Sequence, residues 1–329
     1  MKKIITSLLF VCALGIFSFG QGIHFSQWYE APLLLNPANA GSYFGDYRAT
    51  INYRDQWASV GNGFKTVFAS YDMPIRKNKQ DMKTTGVGVH FYNDKAGKSN
   101  YGRTEGTISL SQSVTVSRDL DLAVGLGFSY GQVSANYTNL KWDNQYNGTK
   151  YDGSLGTGES VLNTSSTYFD LNMGFLARFI GRKKNETNIG VSMANLTQTR
   201  QATLSSSSDK RRTRFIAHAK SEIPLEYRND YIVPTLFVSN QSASTEIAVG
   251  ATYKLNLGLQ SSYTGYYTSS FLEFGAIYRY NDAVVAIVKF DWEQRIQLGA
   301  SYDVNVSKLI PASAFQGGFE ISLIYKGSY

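Results

Sequence analysis

Thiol chemistry is the first thing this chain lacks. Its single cysteine, Cys12, lies in the apolar run near the N-terminus. A lipid-modified first residue at Cys12 is disfavoured, because Phe10 and Val11 are bulky where such a signal wants small residues. The expected mature chain therefore has no disulfide, no thiolate metal site and no cysteine nucleophile. Histidine is nearly as scarce: His24, His90 and His218 are dispersed, with no H-x-x-x-H, no H-E-x-x-H and no Cys/His cluster. No metal and no cofactor is expected. Glycine-rich stretches such as Gly125-Leu126-Gly127 lie within a strand-like rhythm, not between a strand and a helix, so they are not phosphate loops. No G-x-S-x-G elbow occurs. The rims offer no recognisable Ser/His or Asp/His set, and the chain is read as a non-enzyme. Net charge is modest, +7, falling to +5 without Lys2 and Lys3, and both signs are spread along the chain. Nucleic-acid binding has no support.

Long apolar runs are also missing after the first twenty residues. Lys2 and Lys3, the apolar stretch Ile4–Phe19 and Gly20 before Gln21 read as a secretory signal peptide over 1–20. An N-terminal anchor is disfavoured because the run falls short of the roughly 20 apolar residues a spanning helix needs. No later segment approaches that length, and the mean hydropathy is −0.24.

What the chain does have is a two-residue rhythm. Over Leu120–Tyr130, the residues Leu120, Leu122, Val124, Leu126, Phe128 and Tyr130 fall on one face, and Asp121, Ala123, Gly125, Gly127 and Ser129 on the other. Fourteen such segments can be counted. Ten are clear, including 47–53, 169–179, 284–290 and 319–325, and four are weaker, near 103–116, 186–196, 213–224 and 230–240. Tyrosine, at 23 residues, suits a membrane–water interface. The expected fold is all-β: an antiparallel transmembrane β-barrel of about 14 strands over 45–329. A soluble β-sandwich is disfavoured because many segments approach the ~9–11 residues of a membrane strand.

With both termini at one rim, the long gaps 136–165, 196–212 and 305–317 fall at the opposite, outer rim. The stretch 256–269 is long for an inner turn and 279–282 short for an outer loop, so a two-strand miscount between 186 and 270 is an open alternative. Inward positions carry charges of both signs: Arg48, Arg54, Asp170, Arg178, Glu246, Lys254, Glu273, Arg279, Lys289, Asp291, Arg295, Asp303 and Glu320. Mixed charge points to a plugged or narrow lumen, against the alternative of ordinary wet lumen residues. An arginine at the lumen position Gly125 should then be tolerated better than one at Val124. Asp143, Asp152 and Glu159 offer calcium ligands without EF-hand spacing, and a plain solvated loop is preferred. The basic run Lys210–Arg214 reads as a solvated strand end rather than a sugar-binding patch.

Residues 21–44 lack the two-residue rhythm and contain Pro32 and the Asn36-Pro37 step. They are too aromatic for a disordered tail and read as a plug-like segment tucked into or under the barrel. The block His24-Phe25-Ser26-Gln27-Trp28-Tyr29, then Ala31-Pro32-Leu33, Asn36-Pro37-Ala38 and Gly41, carries a resemblance. So do Tyr47-Arg48, Asn52 to Trp57, Ala69 to Asp72, Tyr278-Arg279 with Asp282-Ala283, Ser301-Tyr302-Asp303 with Ser307-Lys308-Leu309, and Gly317 to Tyr325. Together they resemble the PorP/SprF family of the type IX secretion and gliding systems of Bacteroidota. The match is specific at both ends and one of pattern only over about 80–240; the tail Lys326–Tyr329 departs from it.

The resemblance implies a cell outer-membrane barrel that supports export, docking or surface anchoring of type IX cargo. The implied partners are an adhesin's C-terminal domain, periplasmic or outer-membrane secretion subunits, and the lipid bilayer. It singles out His24, Phe25, Gln27, Asn36, Pro37, Gly41, Arg54, Gln56, Trp57, Asp72, Arg279, Asp282 and Asp303 as candidates for plug or partner contacts. The alternative function is a passive channel for small or hydrophobic solutes.

Overall fold

The computed structural model describes residues 23–57, 63–75, 82–97, 99–136, 140–158, 165–181, 185–199, 210–225, 229–258, 270–307 and 316–327. The expected signal peptide, 1–20, lies outside them.

Fourteen antiparallel strands close into a barrel. They are β1 (Tyr47–Gln56), β2 (Phe64–Ile75), β3 (Lys83–Ala96), β4 (Tyr101–Ser117), β5 (Leu120–Ser134), β6 (Ser165–Ile180) and β7 (Glu186–Ala194). Then follow β8 (Arg214–Ser221, continued by Ile223–Pro224), β9 (Tyr231–Gln241), β10 (Ser244–Asn256), β11 (Phe271–Arg279), β12 (Ala283–Trp292), β13 (Ile296–Asn305) and β14 (Gln316–Gly327). Each strand pairs with the next, and β14 returns to β1 with Tyr47 opposite Gly327 and Gln56 opposite Gly318. Closure satisfies the backbone without leaving an open edge, which a lipid-facing sheet requires. The four weaker segments are the strands β4, β7, β8 and β9, so the two-strand miscount does not arise.

The alternation has its expected sense. In β5, Leu122, Val124, Leu126, Phe128 and Tyr130 are exposed on the outer wall, while Ala123 and Ser129 are buried inside. In β12, Val284, Val288 and Phe290 face out, and Val285, Ile287 and Lys289 face in. Such a band of exposed apolar side chains is the surface that a bilayer covers. Tyrosines gather where the band ends. Tyr47 lies 6.2 Å from Tyr71 and 5.8 Å from Tyr325 at the rim holding the chain's entrance into β1. This is called the terminal rim below.

The segment between β5 and β6 rises from the opposite rim, and it folds on itself: Tyr146 bridges Tyr151, and Asp152 donates its N–H to the Gln145 carbonyl at 2.7 Å. Asp152 bonds Ser154, which holds its carboxyl below the ordinary range. Glu159 lies outside the described residues.

Two inward assignments need correction. Arg295 lies in the β12–β13 turn and is exposed, because the strand ends before it. Gly125 does face inward, but the space in front of it is filled: a Cβ there would lie 2.3 Å from the Ala38 nitrogen. The sequence shows glycine's missing side chain without showing what occupies the gap.

Both Val124→Arg and Gly125→Arg are therefore expected to harm the barrel, for different reasons. The first places a charge in the lipid, at roughly 2–4 kcal/mol for mid-depth positions. The second drives a side chain into the 36–38 segment. Heat-modifiable gel mobility should fall in both, whereas Val124→Leu should match the parent.

Candidate functional site: the filled lumen

The interior is occupied by residues 23–46, which pass through the lumen and leave at the terminal rim to begin β1. Local sequence shapes this segment. Trp28–Glu30 forms a 3-10 turn. Pro32 starts a one-turn helix, Pro32–Leu35, at the position where a missing N–H costs nothing. Asn36 then caps a second 3-10 turn, Pro37–Asn39, its Oδ1 accepting the Ala38 N–H at 2.9 Å. The Asn36 amide also donates to the Phe175 carbonyl at 2.9 Å and the Val191 carbonyl at 3.4 Å, and meets the His218 Nε2 at 3.3 Å. One buried asparagine thus sets a local turn and docks it to three strands.

Glycines on the inner wall make the seat. Added Cβ atoms would fall 1.9 Å from the Ala40 oxygen at Gly86, 1.9 Å from the Asn36 Oδ1 at Gly174 and 2.5 Å from the Gln27 Oε1 at Gly299. Gly41 is needed for a second reason. It has φ +65°, and its own Cβ position lies 2.9 Å from the Gly86 Cα.

Two ionic clusters hold the segment at its ends. Nearer the terminal rim, Arg48 forms a paired contact with Asp72, Nε to Oδ1 and Nη2 to Oδ2 at 2.9 Å each, and also reaches the Asn39 carbonyl at 3.1 Å. Asp72 accepts the Gly41 N–H at 2.8 Å, and its carbonyl accepts the Tyr43 hydroxyl at 2.7 Å. Further along the lumen, Arg54 contacts Asp303 at 2.9 Å and Glu320 at 3.0 Å. Arg279 joins Asp303 at 3.0 Å and also pairs with Asp282. Glu320 in turn accepts the backbone N–H of Ser26 at 2.8 Å and of Gln27 at 3.0 Å, while the Ser26 hydroxyl donates to Asp303 at 2.8 Å. Arg54 is 2% exposed and Glu320 is fully buried, so each charge depends on its partners. A third contact joins Lys289 to Glu273 at 2.6 Å and to Glu30 at 3.4 Å, and Glu30 also accepts from Gln297 at 2.7 Å.

Apolar packing does the rest. Trp28 stacks on Phe237 at 5.4 Å and joins Leu35, Ile216, Ile277, Val285 and Ile287. Phe25 meets Phe68 edge-on at 5.9 Å. Burial, reinforced by Glu273 and Glu30, pushes the Tyr29 phenol well above its ordinary value, so Tyr29 is neutral.

Of the residues singled out from the sequence, Phe25, Gln27, Asn36, Pro37 and Gly41 lie inside the barrel on the plug. Arg54, Asp72, Arg279, Asp282 and Asp303 form the clusters that grip it. Gln56 sits beside the second cluster, its Oε1 accepting from Arg54 at 3.3 Å. His24 is half-buried near the start of the plug. Trp57 stands apart at the far rim, with φ 58° and its ring 5.4 Å from Phe64.

The basic run is the other departure. Arg211 is drawn inward to Glu105 at 2.8 Å and Asp170 at 3.3 Å, and Arg214 donates to the Ile23 carbonyl at 2.7 Å. Glu105, which also accepts from Tyr92 at 2.9 Å and Tyr168 at 2.6 Å, stood out in no sequence motif. Its inward register in β4 was the one available signal. On the far side of the plug these residues line a cavity of only about 50 Å3, whereas one of about 650 Å3 opens at the terminal rim.

Removing the Arg54 charge tests the clamp. Arg54→Met should cost about 3–5 kcal/mol, the usual penalty for leaving buried partners unpaired. It should read as a lowered urea midpoint and faster proteolysis within residues 23–46.

Comparison with curated proteins returns no match. Among solved structures, the chain is similar to the Ralstonia pickettii toluene transporter TbuX, with TM-score 0.45, 10% identity, and coverage of 90% of this chain and 93% of that one. It is also similar to BamA from Haemophilus ducreyi lacking POTRA domains 1–3, with TM-score 0.41, 12% identity and coverage of 85% and 70%. A third is CdiB from Acinetobacter baumannii, with TM-score 0.43, 8% identity and coverage of 85% and 60%. The family model for the type IX secretion system membrane protein PorP/SprF matches residues 17–325, which takes in the plug, the gripping clusters and every strand up to Tyr325. The chain belongs to the PorP/SprF family of type IX secretion system membrane proteins.

Proposed function

We propose that this protein is a non-enzymatic outer-membrane barrel that docks or anchors type IX cargo, such as the C-terminal domain of an adhesin, and contacts secretion subunits. The observation that carries the reading is the filled lumen. A segment fixed by Arg48–Asp72 and Arg54–Glu320 occupies the path that a passive channel would need. Around it the inner wall pairs charges of both signs, where an ion-selective pore would present a ring of one sign. A lumen filled by the chain's own segment suits holding a partner better than passing a solute. The self-folded segment after β5 offers exposed Tyr146 and Tyr151 at the far rim, and rigid tyrosines make large contacts at small entropic cost. With the entrance into β1 and the end of β14 at the inner rim, where the shorter connections of single-chain barrels lie, that surface faces outward.

Deletion in the native host, with quantitative mass spectrometry of surface and medium proteins, tests this reading. Loss of one or a few adhesin-like proteins is the expected result for a dedicated partner, and loss of all type IX cargo for a core component. Unchanged export and display would refute both. The purified barrel should be silent in planar bilayers; steady conductance would favour the channel.

A further inference from the structure

The plug runs through the lumen in one direction, and its contacts mark the course. The Ile23 carbonyl accepts from Arg214 at 2.7 Å, and Arg214 is the first residue of β8, at the far rim. Ser26 is bonded by Asp303 and Arg54, each third from the far end of its strand, and the Ser26 and Gln27 N–H groups go to Glu320. Asn36 lies lower, against the Phe175 and Val191 carbonyls. Gly41 reaches Asp72 near the terminal-rim end of β2, and Asp46 donates to the Gly327 carbonyl at 2.8 Å on that rim. The N-terminal end of the plug is therefore at the far rim, and only its C-terminal end is tied to the terminal rim through β1.

Chain that precedes Ile23 has no way back beside the plug. The far-side cavity that Ile23 lines is about 50 Å3, with Arg211 drawn in over Glu105, which is room for a few waters and not for a second backbone. The seat for the first plug residues also forms late. Arg54, Asp303 and Glu320 stand on β1, β13 and β14, so they come together only when the last strand pairs with the first. Reaching that seat requires a free end. The expected signal peptide ends at Gly20, three residues before Ile23. Three extended residues span about 10 Å, whereas the apolar band of an outer-membrane barrel is roughly 25 Å tall. A signal still held in the inner membrane would keep Ile23 on the terminal-rim side. An uncleaved chain released from that membrane would have to carry the apolar stretch Ile4–Phe19 through a lumen lined by charges of both signs.

We infer that the plug seats only after the signal peptide is removed, and that seating carries the new N-terminus to the far rim, where it faces the cell exterior. Signal cleavage and barrel closure are then the two conditions for a filled lumen. The inference rests on the outward orientation of the far rim proposed above and not on the cargo reading, so a failure of either is seen separately.

Two epitope-tagged forms of the full chain test this in intact cells. One carries the tag between Gln21 and Gly22, the other after Gly148, which is exposed in the segment beyond β5. Antibody is expected to label both without permeabilisation. Labelling of the Gly148 tag alone, with the plug of the other form still protected from protease, would overturn the inference. Labelling of neither tag until the cells are permeabilised would overturn it through the orientation, whereas the deletion described above tests the cargo reading. The requirement for cleavage is tested by refolding the chain from Met1 and the chain from Gln21 in detergent. Residues 23–46 contain no Lys or Arg, so chymotrypsin reads the plug, at Phe25, Trp28 and Tyr29. The chain from Gln21 should be protected there. The chain from Met1 should lose that protection while keeping the heat-modifiable mobility of a closed barrel, and replacing Ile4–Phe19 by a Gly/Ser stretch of equal length should restore it. Equal protection of the Met1 and Gln21 chains would overturn the requirement.

Discussion

The Arg54 guanidinium is the contact on which the interior depends. It sits on β1 between Asp303 of β13 and Glu320 of β14, across the seam where the last strand closes on the first. Glu320 passes that charge on to the plug by accepting two consecutive backbone N–H groups, from Ser26 and Gln27. Barrel closure and plug position are therefore one problem with one solution. At this burial Glu320 depends on Arg54, Asp303 on Arg54 together with Arg279, and Arg54 on both acids. A guanidinium suits the task because its planar fork can serve two carboxylates at once.

Size explains why a plug exists at all. Barrel diameter grows with strand number, and side chains fill the interior at about eight strands. At fourteen, inward residues cannot meet across the middle, and the polar wall needs either water or another segment. Here the chain supplies its own segment, and the wall accommodates it by omitting side chains at Gly86, Gly125, Gly174 and Gly299. These glycines weaken their strands as isolated elements. What they gain is close approach of backbone to backbone, which lets Ser111 reach the Ala40 carbonyl at 2.6 Å and Ser192 reach the Leu35 carbonyl at 2.7 Å.

The two sides of the plug are unequal, and this asymmetry bears on function. Toward the far rim, Arg211 folds in over Glu105 and Asp170 and leaves little space. Toward the terminal rim the lumen widens into a cavity of about 650 Å3 whose walls carry charges of both signs. A membrane protein of a secretion family thus presents two different faces, a tyrosine-bearing segment bridged at Tyr146 and Tyr151 on one and a wide cavity on the other.

Strand pattern, facing and the exceptional character of residues 21–44 were legible in the sequence because each is local. Period-two alternation is imposed by strand geometry, and the lipid outside demands that every other residue of β5 or β12 be apolar. The Asn36-Pro37 step marks its own turn in the same way. What the sequence could not express is which distant residues meet. Arg54 and Glu320 are 266 positions apart, and their contact exists because closure sets β1 beside β14. Gly125 looked like an empty lumen position, and Arg211 like a solvated strand end, for the same reason. The content of a lumen is decided by segments that arrive from elsewhere in the chain, and only the closed barrel brings them together.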